Sequence, residues 1–235
     1  MNEIIFNKYN KKGAGYHWDE ISNSITKRNL YTVSRYQQVI ELIGNEVQNC
    51  KILDIGCGDG VLAYLLSLRG ADVTGTDTSS EALDYAKNKL KKNKQINFIL
   101  SSVYDIPLPD KSYDYIVTTD VIEHLAEPQK MLNEINRLWT KRGKVIISTP
   151  IKLTAIPEDT MHIREYQTDE LWQLLSDIFL EVHIIKSHPV IWKELQNKNI
   201  FFKRVMNILN ILINFNPYLS NNWKYYSYQL AIVTK

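Results

Sequence analysis

Six side chains in this sequence have the types and spacing to do chemistry at one place: the carboxylates of Asp54, Asp77, Asp120 and Glu123 and the imidazoles of His124 and His162. Asp54 interrupts the apolar run 51–55 and precedes Gly56-Cys57-Gly58-Asp59-Gly60, a turn in which no glycine Cβ holds a ligand off the backbone. Asp77 closes the next apolar run, 21 residues past Gly56, a spacing that suits a carboxylate accepting hydrogen bonds from two ribose hydroxyls. A nicotinamide dinucleotide would need glycine where the chain has Val61, and its pyrophosphate would meet Asp59 and Asp54. A cationic nucleoside meets no such objection. His124 lies a few residues beyond the apolar run 113–118, and its near-neutral intrinsic pKa suits general-base work; His162, in a long connection, is the second candidate. The plain alternative is that either histidine lines a pocket without moving a proton. Glu123, His124 and His162 are also metal-ligand types, but their spacing alone does not specify a site, so no metal is expected.

Strands and helices must bring these residues together. Apolar runs near 51–55, 72–76, 96–100, 113–118 and 143–149 read as strands, and helical periods fall between them near 60–69, 79–92 and 128–139. Such alternation predicts a parallel sheet with right-handed crossovers and a ligand at the carboxyl ends of its strands, where Asp54, Asp77, Asp105 and Asp120 fall. Upstream, 28–46 has helical spacing and should pack beside the first strand, with Tyr16, Arg35 and Tyr36 in reach of cofactor or substrate. Downstream, Thr168 reads as a helix N-cap, 179–186 as a sixth strand and 226–234 as a seventh. The 200–215 stretch is apolar except for a stripe of Lys203, Asn207, Asn210 and Asn214, a pattern that predicts a helix burying a wide apolar face.

The strand and turn at 51–60 resemble the class I S-adenosylmethionine (SAM) dependent methyltransferases, whose first motif is acid-x-G-x-G-x-G; Asp54, Gly56, Gly58 and Gly60 match it position for position. The resemblance covers roughly residues 48–188. It implies that the turn, Cys57 included, lies under the methionine part of SAM, that Asp77 binds the ribose diol, and that Thr78 follows beside the adenine. Residues 100–114 look like the family's adenine loop, with Ser102 where many members carry an acid and Val103 offering its backbone. Strand four and its exit, 115–125, resemble the branch that methylates small molecules and add Thr119 and Asp120 to the cofactor set, with Asp54, Asp120 and Glu123 near the ammonium. No Asn-Pro-Pro-Tyr-like run follows Val117, which counts against base N-methylation. The fold implied is an α/β three-layer, Rossmann-like sandwich with a mostly parallel seven-stranded sheet, an antiparallel last strand and a helical insertion before it. The activity implied is methyl transfer from SAM to a small molecule, with a hydroxyl of a sugar, glycolipid or other hydrophobic metabolite as the favoured acceptor and His124 or His162 as base.

Length and composition agree with one methyltransferase domain: an N-terminal lid and helices (1–47), hinged at Gly13 and Gly15, a SAM-binding core (48–188), a helical insertion (189–225) and a final strand (226–235). At 28 Lys plus Arg against 26 Asp plus Glu, the net charge of +2 draws the chain to no nucleic acid, and the basic run 87–94 reads as a solvated helix face. Cys50 and Cys57 flank one strand too far apart to pair, residues 1–6 hold no signal-peptide core and no stretch could cross a bilayer, so a reduced, cytoplasmic setting is expected. The 200–215 helix is expected to cap the cleft, form a homodimer or lie peripherally on the inner membrane face. A nicotinamide-dependent oxidoreductase, a non-catalytic SAM-fold partner protein and a methyltransferase acting on a macromolecule are the rival readings.

Overall fold

The computed structural model describes residues 8–157 and 159–235; the opening segment read above for a signal peptide lies outside them. Seven strands form one sheet: β1 (Lys51–Ile55), β2 (Asp72–Asp77), β3 (Ile96–Leu100), β4 (Tyr115–Thr119), β5 (Val145–Pro150), β6 (Glu181–Pro189) and β7 (Tyr226–Thr234). Their order is β3-β2-β1-β4-β5-β7-β6, with β1 to β5 mutually parallel and β7 antiparallel to both its neighbours. The chain therefore reverses direction beside β1, opening a cleft between the carboxyl ends of β1 and β4, as expected of a doubly wound sheet.

Both faces are covered. On one lie α3 (Leu30–Ile43), α4 (Val61–Ser67) and α5 (Ser80–Leu90), packed with Ile52 and Val117; on the other α6 (Pro128–Leu138) and α7 (Thr168–Ser176) pack with Leu53, Ile55 and Ile116. Strands buried on two sides read as near-continuous apolar runs, which is why the limits of β1, β2, β4 and β5 were visible to within two residues; the partly exposed β6, expected over 179–186, runs three residues further. Cys50 and Cys57 are free thiols. Gln167 caps α7 in place of Thr168, because its side chain and that of Glu170 complete a reciprocal capping box.

Before the sheet lie two short helices, α1 (Lys8–Lys12) and α2 (Tyr16–Ile21). Between β6 and β7 lie two more, α8 (Val190–Lys198) and α9 (Ile200–Ile213), where a single one was expected. The orientation of α9 departs from the expectation in part. Met206, Phe202 and Leu209 pack with Leu30 and Tyr218, but two residues of the polar stripe, Asn207 and Asn210, are buried beside them, while Asn214 is exposed and the apolar Phe201, Leu212 and Ile213 are 73%, 74% and 69% exposed. The reason is hydrogen bonding. Asn207 Nδ2 donates to the carbonyls of Ile25 and Arg28 (2.8 and 2.9 Å), and Arg28 Nε and Nη2 donate to Asn210 Oδ1 (3.0 and 2.8 Å), so the asparagines satisfy a loop that no apolar side chain could. Among the described residues no helix is long and apolar enough to cross a membrane.

Candidate active site

The turn after β1 sets the site's geometry. Gly56 has φ +73°, and a Cβ there would stand 2.3 Å from Val121 Cγ2, so the close approach of the turn to the β4 exit requires glycine. Gly58 N donates to Asp77 Oδ2 and Ser79 N to Asp77 Oδ1, both at 2.8 Å, which orients the carboxylate ending β2 while leaving lone pairs on both oxygens. Burial nevertheless raises the Asp77 pKa above its ordinary value, against the lowering effect of those amides. Asp54 is more extreme: burial first and the Asp77 charge second push its pKa up to about 8, and its Oδ2 has no hydrogen-bond partner among the described residues. A buried, unsatisfied carboxyl in a cavity wall is a site for a ligand's cationic donor.

A cavity of about 650 Å³ spans these groups. Asp54, Gly56, Cys57, Asp77, Thr78, Ser102, Val103, Thr119, Asp120 and His124 all line it, so most of the expected set meets in one place. Gly58 and Gly60 do not reach its wall; Gly58 serves through the amide held on Asp77, and Gly60 caps α4 in a left-handed conformation. His162 also lies off the wall, with Nδ1 2.7 Å from Glu165 Oε1. Glu123, expected near the ammonium, is fully buried behind the cavity, where Oε2 accepts from Thr149 Oγ1 at 2.9 Å. Asp120 departs from its expected role in another way. Its carboxylate is paired with Arg35 and accepts from Tyr228 Oη at 2.7 Å, so it braces Arg35 across the cavity.

The N-terminal segment walls the cavity with Tyr9, Lys12, Tyr16, His17, Glu20, Tyr36 and neighbours on α3. Asp59, read from the sequence as an obstacle to a pyrophosphate, holds this wall in place: Oδ2 accepts from His17 N at 3.0 Å, Oδ1 meets His17 Nδ1 at 3.1 Å, and its carbonyl accepts from Trp18 Nε1 at 2.9 Å. Neither Tyr9 nor Glu20 was singled out in the sequence; the aromatic and polar composition of the segment was the available signal. His188 is structural: it is fully buried, with Nε2 3.1 Å from the carbonyl of Tyr31, and burial drives its pKa down to about 3. The α9 helix lines no part of the cavity, so it is not a cap in direct contact with a substrate.

A family model described as a methyltransferase domain matches residues 53–147. A probable S-adenosylmethionine-dependent methyltransferase of Mycobacterium tuberculosis is 30% identical over 152 residues, covering 63% of this chain and 54% of that protein. The chain thus spans about half the length of that relative. A ubiquinone biosynthesis O-methyltransferase of Rickettsia bellii is 28% identical over 173 residues, 65% of this chain and 71% of that one. Among solved structures, a Haemonchus contortus phosphoethanolamine N-methyltransferase in complex with S-adenosyl-L-methionine superposes with a TM-score of 0.70 at 16% identity, over 97% of this chain and 58% of that chain.

Proposed function

The chain belongs to the class I SAM-dependent methyltransferases, with SAM as cofactor, and on that premise we propose that it methylates a hydroxyl of a small, hydrophobic or lipid-linked acceptor. The observation that carries this reading is that a single cavity is lined both by Asp54 and Asp77 and by His124. Asp77 holds the ribose diol, Asp54 the ammonium, and Thr78, Ser102 and Val103 border the adenine. SAM supplies an electrophilic methyl on a sulfonium, and the protein contributes chiefly by aligning the acceptor oxygen with the methyl carbon and sulfur. His124 fits the acceptor side: Nδ1 lies 2.7 Å from the carbonyl of Met161 and so must be the protonated nitrogen, which leaves a lone pair on Nε2 to take the hydroxyl proton. His162, 5.0 Å from His124 ring to ring, stands behind it. The Rickettsia relative is named for O-methyl transfer in ubiquinone biosynthesis, chemistry of this class.

We further infer that the enzyme works in the cytoplasm against the inner membrane face. The insertion 189–225 carries five Lys or Arg and one acid, a charge of +4 in a chain of +2 overall, beside the exposed apolar side chains of α9. An anionic bilayer complements both features.

Tritiated SAM offered with phenols and glycosides, with and without isoprenoid or acyl tails, tests the reading. Labelled ether should form, with tailed acceptors preferred, and His124→Gln should lower kcat by ~10² or more while SAM affinity stays within about twofold. SAM binding without turnover on any hydroxyl would instead favour the non-catalytic partner reading.

A further inference from the structure

At the amino ends of β1 and β4, the pole of the sheet opposite the cofactor turn, lies an open cleft of about 480 Å³. The five residues of β1 alone put roughly 16 Å between it and Gly56. Lys51, Lys111 and Arg142 line the cleft, together with Asn49, Thr140 and the carboxylate of Asp114. Lys141 adjoins it between Thr140 and Arg142. Four cations therefore stand against one acid, in a chain whose overall charge is only +2.

These cations differ from an ordinary solvated face in two respects. One is pairing. Among the described residues none of the four makes an ion pair, although neighbouring cations are engaged: Arg137 with Glu134 and Asp110 at 2.7 Å each, and Lys144, which donates to the carbonyl of Leu42 at 2.8 Å. Asp114 is itself occupied, accepting from Lys51 N at 3.1 Å and from Thr140 Oγ1 at 3.4 Å. The other is backbone conformation. Lys111 and Lys141 have φ +46° and +64°, in the left-handed region where a Cβ is strained and where glycine, or an asparagine such as the adjacent Asn49 at φ +61°, sits at little cost. Both turns thus keep a cation where the fold alone favours glycine, and strain retained beside a cleft points to binding.

A carboxylate would offset one of these charges. A phosphate monoester or pyrophosphate brings two or more, with several acceptor oxygens that suit both point-charge lysines and the planar fork of Arg142. We propose that this cleft binds the phosphate groups of a small phosphorylated ligand, at a site separate from methyl transfer and independent of the acceptor reading above.

The full chain, with SAM present at saturation so that the adenine pocket is filled, is titrated calorimetrically with pyrophosphate and, separately, with ATP. One equivalent should bind, with an affinity that falls as salt rises. Arg142→Gln should weaken binding ~10-fold or more, the scale of a lost charge-assisted hydrogen bond. Lys111→Gly combined with Lys141→Gly gives the sharper test: binding should weaken at least ~10-fold while the Tm stays equal to the wild type or rises, because strain is relieved as charge is lost. Lysines kept for packing alone would instead lower the Tm on replacement and leave the affinity untouched. That result overturns the proposal, as does the absence of saturable uptake of either probe at millimolar concentration. If the double variant misfolds, Arg142→Gln decides. Equal affinities for the two probes identify the phosphate groups as the whole ligand and a tighter ATP identifies a nucleotide; both support the site.

Discussion

Asp54→Asn is the substitution on which the cofactor assignment can be judged. The Asp54 carboxyl is 1% exposed, and burial, with the Asp77 charge second, moves its pKa from 3.8 to about 8. Between those values the folded chain keeps a proton that the unfolded chain has lost, so stability falls as pH rises across the window, the reverse of the usual carboxylate. At 1.36 kcal/mol per unit, the ligand-free protein loses on the order of 4 kcal/mol between pH 5 and pH 8 through this group. The neutral, isosteric asparagine loses none of it. At about 2–4 °C per kcal/mol for a chain of this size, the wild type should melt roughly 10 °C lower relative to the variant at pH 8 than at pH 5, with all other titrations common to both. SAM reverses the preference, because an ammonium beside Asp54 favours its ionised form. Binding near pH 7 should then release close to one proton, visible as a heat that differs between phosphate and Tris, and wild-type affinity should rise with pH until the ligand's own amino group deprotonates near 7.7–8.0. Asp54→Asn should bind SAM more weakly, with neither effect. Parallel melting curves for the two proteins, together with buffer-independent heats, would refute a neutral Asp54 in the open cleft.

Asp77→Ala should weaken SAM binding by roughly 1.5–3 kcal/mol in calorimetry, the scale of hydrogen bonds to a charged group; equal affinity contradicts the ribose assignment. Asn207→Ala leaves the Ile25 and Arg28 carbonyls without their buried donor and should cost about 1–3 kcal/mol in urea unfolding at unchanged m-value. Phe201→Glu with Leu212→Glu should leave stability near wild type, since both side chains face outward, while abolishing co-sedimentation with phosphatidylglycerol vesicles. Equal sedimentation of the double variant would remove α9 from any membrane role.

What could be read in advance followed chain-local chemistry. The 51–60 turn was visible because a strand buried on both faces and left-handed backbone at Gly56, Gly58 and Gly60 leave direct marks on residue type. Asp77 was visible because a β-α-β unit fixes the distance between consecutive strand ends. The role of Asp120 was not, since Arg35 and Tyr228 reach it from α3 and β7, and neither sequence separation nor periodicity reports that meeting. Nor was the pairing of His124 with His162, which depends on how a long loop folds back on Glu123. The α9 helix was read only in part for a physical reason: hydropathy periodicity assumes that the apolar side alone is buried, whereas here the N-terminal loop offered carbonyls that Asn207 satisfies, which turns Asn207 and Asn210 inward beside Met206.

That arrangement bears on the site, because α9 and the residues next to it are hydrogen-bonded to the loop and helix that wall the cavity. Arg28 grips Asn210 on α9, Gln196 on α8 donates to Asn29 at the head of α3 at 2.8 Å, and Ser34 on α3 donates to Asn216 just past α9 at 2.9 Å. Asn29, Tyr31, Thr32, Arg35 and Tyr36 on that helix and its cap form one side of the cavity, and α2 is pinned to the glycine turn through Asp59. The insertion therefore fastens the outer end of α3 while the cofactor turn fastens α2. Any surface that engages the exposed face of α9 bears on the helix carrying Arg35, whose partner Asp120 stands at the exit of β4 four residues before His124. A contact made at α9 would thus reach the acceptor side of the cavity through partly buried hydrogen bonds.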